Sequence, residues 1–181
     1  GKVTAGVPQG PLEKVGNTRK RGTLVRFLPD DTIFEDVRFN GDQVARRLQE
    51  LAYLNRGIKI TFTDERVKDP QKRQQVFHYE GGIIDFVRYL NADKTVLHDD
   101  PIYLEGKRDS IICRVAIQYT DQYTESLFSY ANNIPTSEGG SHETGFKAAF
   151  TKCFNDYARR IGLLKEKDNN LGGEDFREGL T

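Results

Sequence analysis

The residues best suited to chemistry sit in one stretch, Asn132-Asn133-Ile134-Pro135-Thr136-Ser137-Glu138-Gly139-Gly140-Ser141-His142-Glu143-Thr144-Gly145-Phe146. Paired asparagines, a proline and paired glycines specify a particular loop, because each type pre-sets backbone angles or bonds its own backbone. Two readings fit it. Glycine amides ahead of a helix N-terminus can cradle an anion, since unpaired N–H groups and the helix dipole both favour negative charge. Equally, Ser141 can cap the helix, with Glu143 in the first turn where the dipole favours a carboxylate. A Gly-Gly pair without the lysine of a P-loop is a weak phosphate signal. His142, Glu143 and Glu138 are the right types for acid–base work, but capping and exposure at a helix start explain the same positions.

Elsewhere the candidates thin out. The carboxylate pairs Asp30/Asp31, Asp99/Asp100 and Glu174/Asp175 all stand beside turn residues, where solvation explains them. Arg46/Arg47 and Arg159/Arg160 suit either solvated helix faces or nucleic-acid contacts. No Ser-His-Asp signature and no metal-ligand spacing appears, so no catalytic and no metal-binding residue is assigned. Cys113 and Cys153 lack a CxxC spacing and stand apart from His78, His98 and His142. They are expected to be buried free thiols in a reducing cytoplasm.

The elements that must position these residues follow from periodicity. Residues 1–21 predict irregular strands and turns, leading into a β-rich segment over 22–28 that ends at Pro29-Asp30-Asp31. A helix is expected over 42–54, with Val44, Leu48, Leu51 and Ala52 on one face. Arg46, Arg47, Gln49 and Glu50 occupy the other. Asn55-Arg56-Gly57 ends it. Ile58–Thr63 has the period of a strand, 64–75 is an exposed charged loop, and Val76–Tyr79 is a short strand. Gly81-Gly82 opens a helix with Ile83, Phe86, Val87 and Leu90 inward. Odd positions from 111 to 119 are apolar or aromatic, as in a half-buried strand, with 126–131 expected to return as its hairpin partner. A long helix is expected from about His142 to Leu163, with Phe146, Phe150, Cys153, Phe154, Tyr157 and Ile161 on its inner face. Residues 165–175 are expected to be solvated loop, and 176–181 to begin a further element. The fold class is α+β, with a boundary near Glu80-Gly81.

Composition bounds the function loosely. Apolar residues make up 36% of the 181, and 27 basic residues balance 27 acidic ones. A zero balance removes any composition argument for nucleic-acid binding, although a local basic stripe remains possible because a field depends on where charges sit. No apolar run approaches the ~18 residues of a membrane span and no signal peptide opens the chain, so a cytoplasmic location without a membrane partner is expected. Methionine is absent, which suggests a piece of something longer.

The loop at 130–146 also carries a resemblance. Tyr-Ala-Asn-Asn-Ile-Pro-Thr-Ser-Glu-Gly-Gly-Ser-His-Glu-Thr-Gly-Phe resembles a signature loop in the B subunits of type IIA DNA topoisomerases, gyrase and topoisomerase IV. Four further stretches match in the same order: Gly22–Phe27, Leu48–Gly57 (LQELAYLNRG), His78–Phe86 (HYEGGIIDF) and Arg177–Leu180. LQELAYLNRG and the Asn-Asn-Ile loop lean towards gyrase. Phe27–Glu35 and Phe154–Arg160 resemble topoisomerase IV of some Gram-positive bacteria.

The resemblance implies that residues 1–80 are the C-terminal portion of a GHKL (Bergerat) ATPase domain. Residues 81–181 would be the N-terminal portion of a transducer with a ribosomal-protein-S5-like fold. It implies ATP and Mg2+ as cofactors of the parent enzyme, with none held by this piece alone, since the general-base glutamate, the magnesium-binding asparagine, the glycine-rich lid and the transducer lysine all fall outside it. It implies three partners: a gyrase A subunit in an A2B2 heterotetramer, a second B subunit through the ATP gate, and double-stranded DNA. Thr23 matches the family threonine whose hydroxyl lies beside the adenine, and Val25 lines the same pocket. A module that only binds nucleic acid or a partner, without enzymatic activity, is the alternative from another class.

Overall fold

The computed structural model describes residues 2–24 and 29–181, which divide into two compact units, Gly1–Asn40 and Gly41–Thr181. In the first, β1 (Val3–Thr4) and β2 (Val7–Pro8) form a short antiparallel hairpin. The turn expected at Pro29-Asp30-Asp31 is present. Asp30 Oδ1 accepts from the Thr32 amide at 2.9 Å and the Thr32 hydroxyl at 2.6 Å, while the Asp30 carbonyl accepts from the amides of Ile33 and Phe34. These bonds hold the Asp30 carboxyl below its ordinary range. Of the strand expected over 22–28, Gly22–Leu24 have no regular secondary structure, and Val25–Leu28 lie outside the described residues.

The second unit is α+β, and its core follows the amphipathic pattern. Helix α1 (Gly41–Leu54) lays Ala45, Leu48 and Ala52 against the hairpin of β3 (Lys59–Thr63) and β4 (Gln74–His78). In that hairpin Ile60 pairs with Phe77 and Phe62 with Gln75. Alternation along β3 turns Ile60 and Phe62 inward, and Phe77 and Ala52 are buried beneath them. Tyr53 extends the core sideways, stacked on Tyr79 with centroids 3.7 Å apart and on Phe86 at 5.0 Å. Phe86 belongs to helix α3 (Ile83–Leu90), which starts after Gly82. Gly82 has φ +60°, and an added Cβ there would stand 3.2 Å from Arg56 Cβ and 3.4 Å from the Tyr53 carbonyl. A side chain would be strained and crowded against the end of α1.

Several expectations need correction. The 64–75 stretch is not all loop. Asp69 caps a one-turn helix, α2 (Pro70–Arg73), by accepting from the Gln71 amide, and β4 begins at Gln74. The partner of β6 (Ile111–Ile117) is β5 (Ile102–Arg108), not 126–131. That ribbon is exposed along β5 and along β6 as far as Arg114, so the half-buried alternation holds only near Ile117. Cys113 sits on its open part and Cys153 on the outer side of its helix. Both are free but exposed, not buried. In the 126–131 segment only β7 (Tyr130–Ala131) is strand, and it pairs with β8 (Ile134–Pro135).

The long helix α4 spans Ser141–Arg160. Phe146, Phe150 and Phe154 form its inner row, continued by Phe176, whereas Tyr157 and Ile161 are exposed. Helix α5 (Gly173–Arg177) occupies the end of the expected loop. The loop itself is tied down: Asn155 bonds Leu171 through both its amide groups, and Arg159 donates to Asp168 O and Asn170 Oδ1. Among the described residues, no helix is long and apolar enough to cross a membrane.

Candidate functional site

The loop singled out by sequence is built on a two-residue turn. Asn132 and Asn133 have φ of +50° and +65° between the paired residues Ala131 and Ile134. Two successive positive φ values define a type I′ turn, and asparagine tolerates them better than most side chains. The turn aims the hairpin at the polar face of α1. Tyr130 donates its hydroxyl to Glu50 Oε1 at 2.6 Å, and Arg47 Nη2 donates to the Asn133 carbonyl at 2.9 Å. Asn133 Nδ2 donates to Asn55 Oδ1 at 3.0 Å. Arg47 also pairs with Glu50 one turn along the same helix. Burial and the Glu50 carboxylate together push the Tyr130 phenol well above its ordinary range, so it is a fixed donor.

Behind the turn a second chain of bonds joins the loop to α4. Ser129 Oγ lies 2.6 Å from Thr136 Oγ1 and donates to Glu143 Oε2 at 3.0 Å, and Thr136 Oγ1 lies 3.0 Å from His142 Nε2. Lys147 then bridges Glu143 at 3.0 Å and Glu125 at 3.4 Å, and Arg177 meets Glu125 at 2.9 Å. Lys147 first, and then the Ser129 hydroxyl, hold the Glu143 carboxyl below its ordinary range. Glu143 is therefore a constant acceptor at neutral pH, unsuited to proton donation.

This geometry leaves the loop structural, but neither by the cap nor by the anion site that its sequence offers. Ser141 is not the cap: Gly140 holds the N-cap position and no side chain caps the helix. Nor is the Gly139-Gly140 corner suited to an anion, because the Glu143 carboxylate stands 3.7 Å from the position of a Cβ on Gly139. Like charge there opposes a phosphate. His142 and Glu143 are both committed to the loop's own hydroxyls, which makes them structural. Thr23 is exposed in a segment without regular structure, and Val25 lies outside the described residues.

Two clefts flank these networks. One, of about 740 Å3, lies between α4 and the 170–177 segment, where Lys147, Lys152 and Arg177 face Asp156, Glu174 and Asp175. The other, of about 420 Å3, is lined by Tyr53, Phe86 and Tyr89 together with Arg47 and Glu50. Sequence reasoning missed Arg47, Glu50 and Asn55 as partners of the loop and took the first two for a solvated face. Nothing in the local sequence marks them as partners of a hairpin some eighty residues away.

Comparison with known proteins agrees with this architecture. The family model described as DNA gyrase B matches residues 82–181, more than half of the chain. The chain belongs to the DNA gyrase B family. It is 52% identical over 172 residues to the DNA gyrase B protein of Clostridium acetobutylicum, covering 94% of this chain and 26% of that protein. It is also 52% identical over 177 residues to the DNA topoisomerase 4 B protein of Enterococcus faecalis, covering 97% of this chain and 25% of that protein. The chain thus spans about a quarter of the length of these curated relatives. The 43K ATPase domain of Thermus thermophilus gyrase B, solved with an aminocoumarin, superposes with a TM-score of 0.71 at 36% identity, covering 84% of this chain and 40% of that one. Family membership is that of type IIA topoisomerase B subunits, and the α+β fold is that of the family's ATPase and transducer region.

Proposed function

We propose that this chain is part of the B subunit of a DNA gyrase, coupling ATP binding and hydrolysis to DNA strand passage and negative supercoiling. The observation that carries the reading is the match to the family over 82–181, together with 52% identity to whole gyrase B proteins across nearly all of the chain. Residues 1–80 would be the last portion of the GHKL ATPase domain and 81–181 the first portion of the transducer. Support for that boundary comes from the start of the family match at residue 82 and from the positive φ of Gly82 at the head of α3.

In the nucleotide pocket, Thr23 would place its hydroxyl beside the adenine, where one group can both donate and accept, and Val25 would supply an apolar wall. Among the described residues, no three His, Cys, Asp or Glu side chains converge as a metal site. ATP and Mg2+ would be the cofactors of the parent enzyme, and no step through them is assigned to these residues. The partners would be the A subunit in an A2B2 assembly, a second B subunit across the ATP gate, and duplex DNA, all in the cytoplasm.

A topoisomerase IV B subunit is the second reading, supported by the equal identity to the Enterococcus faecalis protein. The deciding experiment pairs the complete protein with its A subunit, relaxed plasmid and ATP. ATP-dependent negative supercoils establish gyrase. Decatenation and relaxation without supercoiling establish topoisomerase IV. If an active preparation does neither, the enzymatic reading fails and a binding module without enzymatic activity replaces it.

A further inference from the structure

We propose that His98 is a proton-operated latch that makes activity acid-sensitive: neutral, it holds the 118–121 segment continuing β6, and protonated, it lets that segment go. Its effect on activity rests on the function proposed above.

The 118–121 segment is held from both sides. On one side Thr120 is bridged to Val96, and the Leu97 amide donates to the Tyr119 carbonyl at 2.8 Å. On the other, the amides of Gln118 and Thr120 donate to the carbonyls of Thr181 and Gly179 at 2.9 and 2.8 Å, and the Thr181 amide donates back to Gln118 at 3.0 Å. One rung on the first side is not made by backbone. The Tyr119 amide donates to His98 Nε2 at 2.9 Å, so an imidazole nitrogen stands where an antiparallel ladder would set a carbonyl. A ring nitrogen that accepts carries no hydrogen. The proton is therefore on Nδ1, which donates to the Asp100 carbonyl at 2.8 Å. Both ring bonds go to main-chain groups, and neither goes to a carboxylate that would hold an added charge.

A proton added at Nε2 sets one N–H against another. The ring must turn away, and the half-buried Tyr119 amide loses its acceptor. Histidine is the side chain whose charge changes near neutral pH. The other ionisable groups on the surrounding elements are Lys94, Asp99 and Asp100 on its own loop, Asp85 and Arg88 on α3, and Tyr119 and Asp121 on the facing segment. Arg88 pairs with Asp85 at 3.8 Å and with Asp100 at 3.1 Å. Carboxylates, lysine and arginine ordinarily titrate outside that range, and burial lifts the Tyr119 phenol above its ordinary one. Residues 179–181 bring no ionisable side chain. Their main-chain bonds go to the segment that His98 holds, and Gly179 packs so closely on it that a Cβ would stand 2.4 Å from the Thr120 carbonyl. Release at Tyr119 therefore loosens both edges.

The test is amide exchange of the complete protein at about pH 7.5 and about pH 5.5, corrected for the pH dependence of exchange itself and read on peptides covering 117–122 and 178–181. Wild-type protection in both should fall about tenfold at the acid end, the size of loss that one unmatched donor produces. His98→Gln sets an amide oxygen where Nε2 stood, and protection should stay within about twofold across the range. His98→Asn is too short to reach the Tyr119 amide, and its protection should be low at both pH values. Where the glutamine does not take up the bond, the pH-independence of His98→Asn decides alone. A wild-type protein without acid loss overturns the latch, as does an acid loss of the same size in both variants, which would assign it to another group.

With the A subunit and ATP, the ratio of strand passage at acid to neutral pH should be about threefold lower in wild type than in either variant. Equal ratios would overturn control of activity by His98. A wild-type assembly without ATP-dependent strand passage would instead remove the function proposed above and leave the exchange result to decide the latch.

Discussion

Two of the faces by which helix α1 meets the rest of its unit are built by different rules. On one, Ala45, Leu48 and Ala52 pack on Ile60, Phe62 and Phe77. On the other, Arg47, Glu50 and Asn55 take hydrogen bonds from, or give them to, the β7–β8 hairpin. Separating the first face exposes apolar area at about 25 cal/mol per Å2 with nothing to offset it. Separating the second exchanges protein partners for water at a net cost of about 1 kcal/mol per bond. A single helix therefore carries a contact that is costly to part on one side and one that water can replace on the other.

The largest effect is expected from the apolar face. Phe77→Ala removes a buried ring from the centre of the core and should cost about 3 kcal/mol in denaturant unfolding. A loss below about 1 kcal/mol would mean that this face is no more permanent than the polar one. Next comes the polar face. Tyr130→Phe should cost about 1 kcal/mol, and combining the two should give additive losses because the sites share no partner. A coupling energy comparable to the Tyr130 effect itself would show that the two faces are not independent.

The smallest effect lies on the rim of the β3–β4 hairpin, at a polar pair in contact with water. Arg66 bonds both carboxyl oxygens of Asp64 at 2.8 and 2.7 Å, and with the Arg66 amide holds the Asp64 pKa down at about 2 against an ordinary 3.8. Because the folded value is the lower one, the pair's contribution is present above about 3.8 and fades as pH falls through about 2. Arg66→Ala should move the Asp64 titration, followed by carboxyl carbon NMR, up towards 3.8. No movement would assign the low value to backbone bonding alone.

How much of this was legible in the sequence differs by region for a physical reason. The apolar face was readable in part: Leu48 and Ala52 stand at helical spacing and Ile60 and Phe62 alternate, but Ala45 and Tyr53, buried beside them, were not assigned to it and Val44 and Leu51 are outside the core cluster. The turn residues at Asp30, Gly57 and Gly82 announced themselves through their backbone preferences. The polar face was not readable as a contact. Periodicity shows which side of a helix is polar, and Arg47 and Glu50 look the same whether they meet water or a hairpin eighty residues away. The β5–β6 pairing was missed because Glu105-Gly106-Lys107-Arg108 carries no apolar alternation to mark a strand. The two cysteines were expected inside because their neighbours are apolar, but the Ile111–Cys113 stretch is exposed. Ser141 had the chemistry of a cap, yet the helix starts one residue earlier than that role requires, with Gly140 at the cap position.

Amide hydrogen exchange in the complete protein tests the two-faced account of α1 most directly. The amides of Leu51–Leu54 and of β3 should exchange slowly, close to the rate set by global unfolding. Those of residues 130–136 should exchange through a lower-energy opening. Equal protection of the two sets would contradict the account and make the hairpin part of the same permanent core.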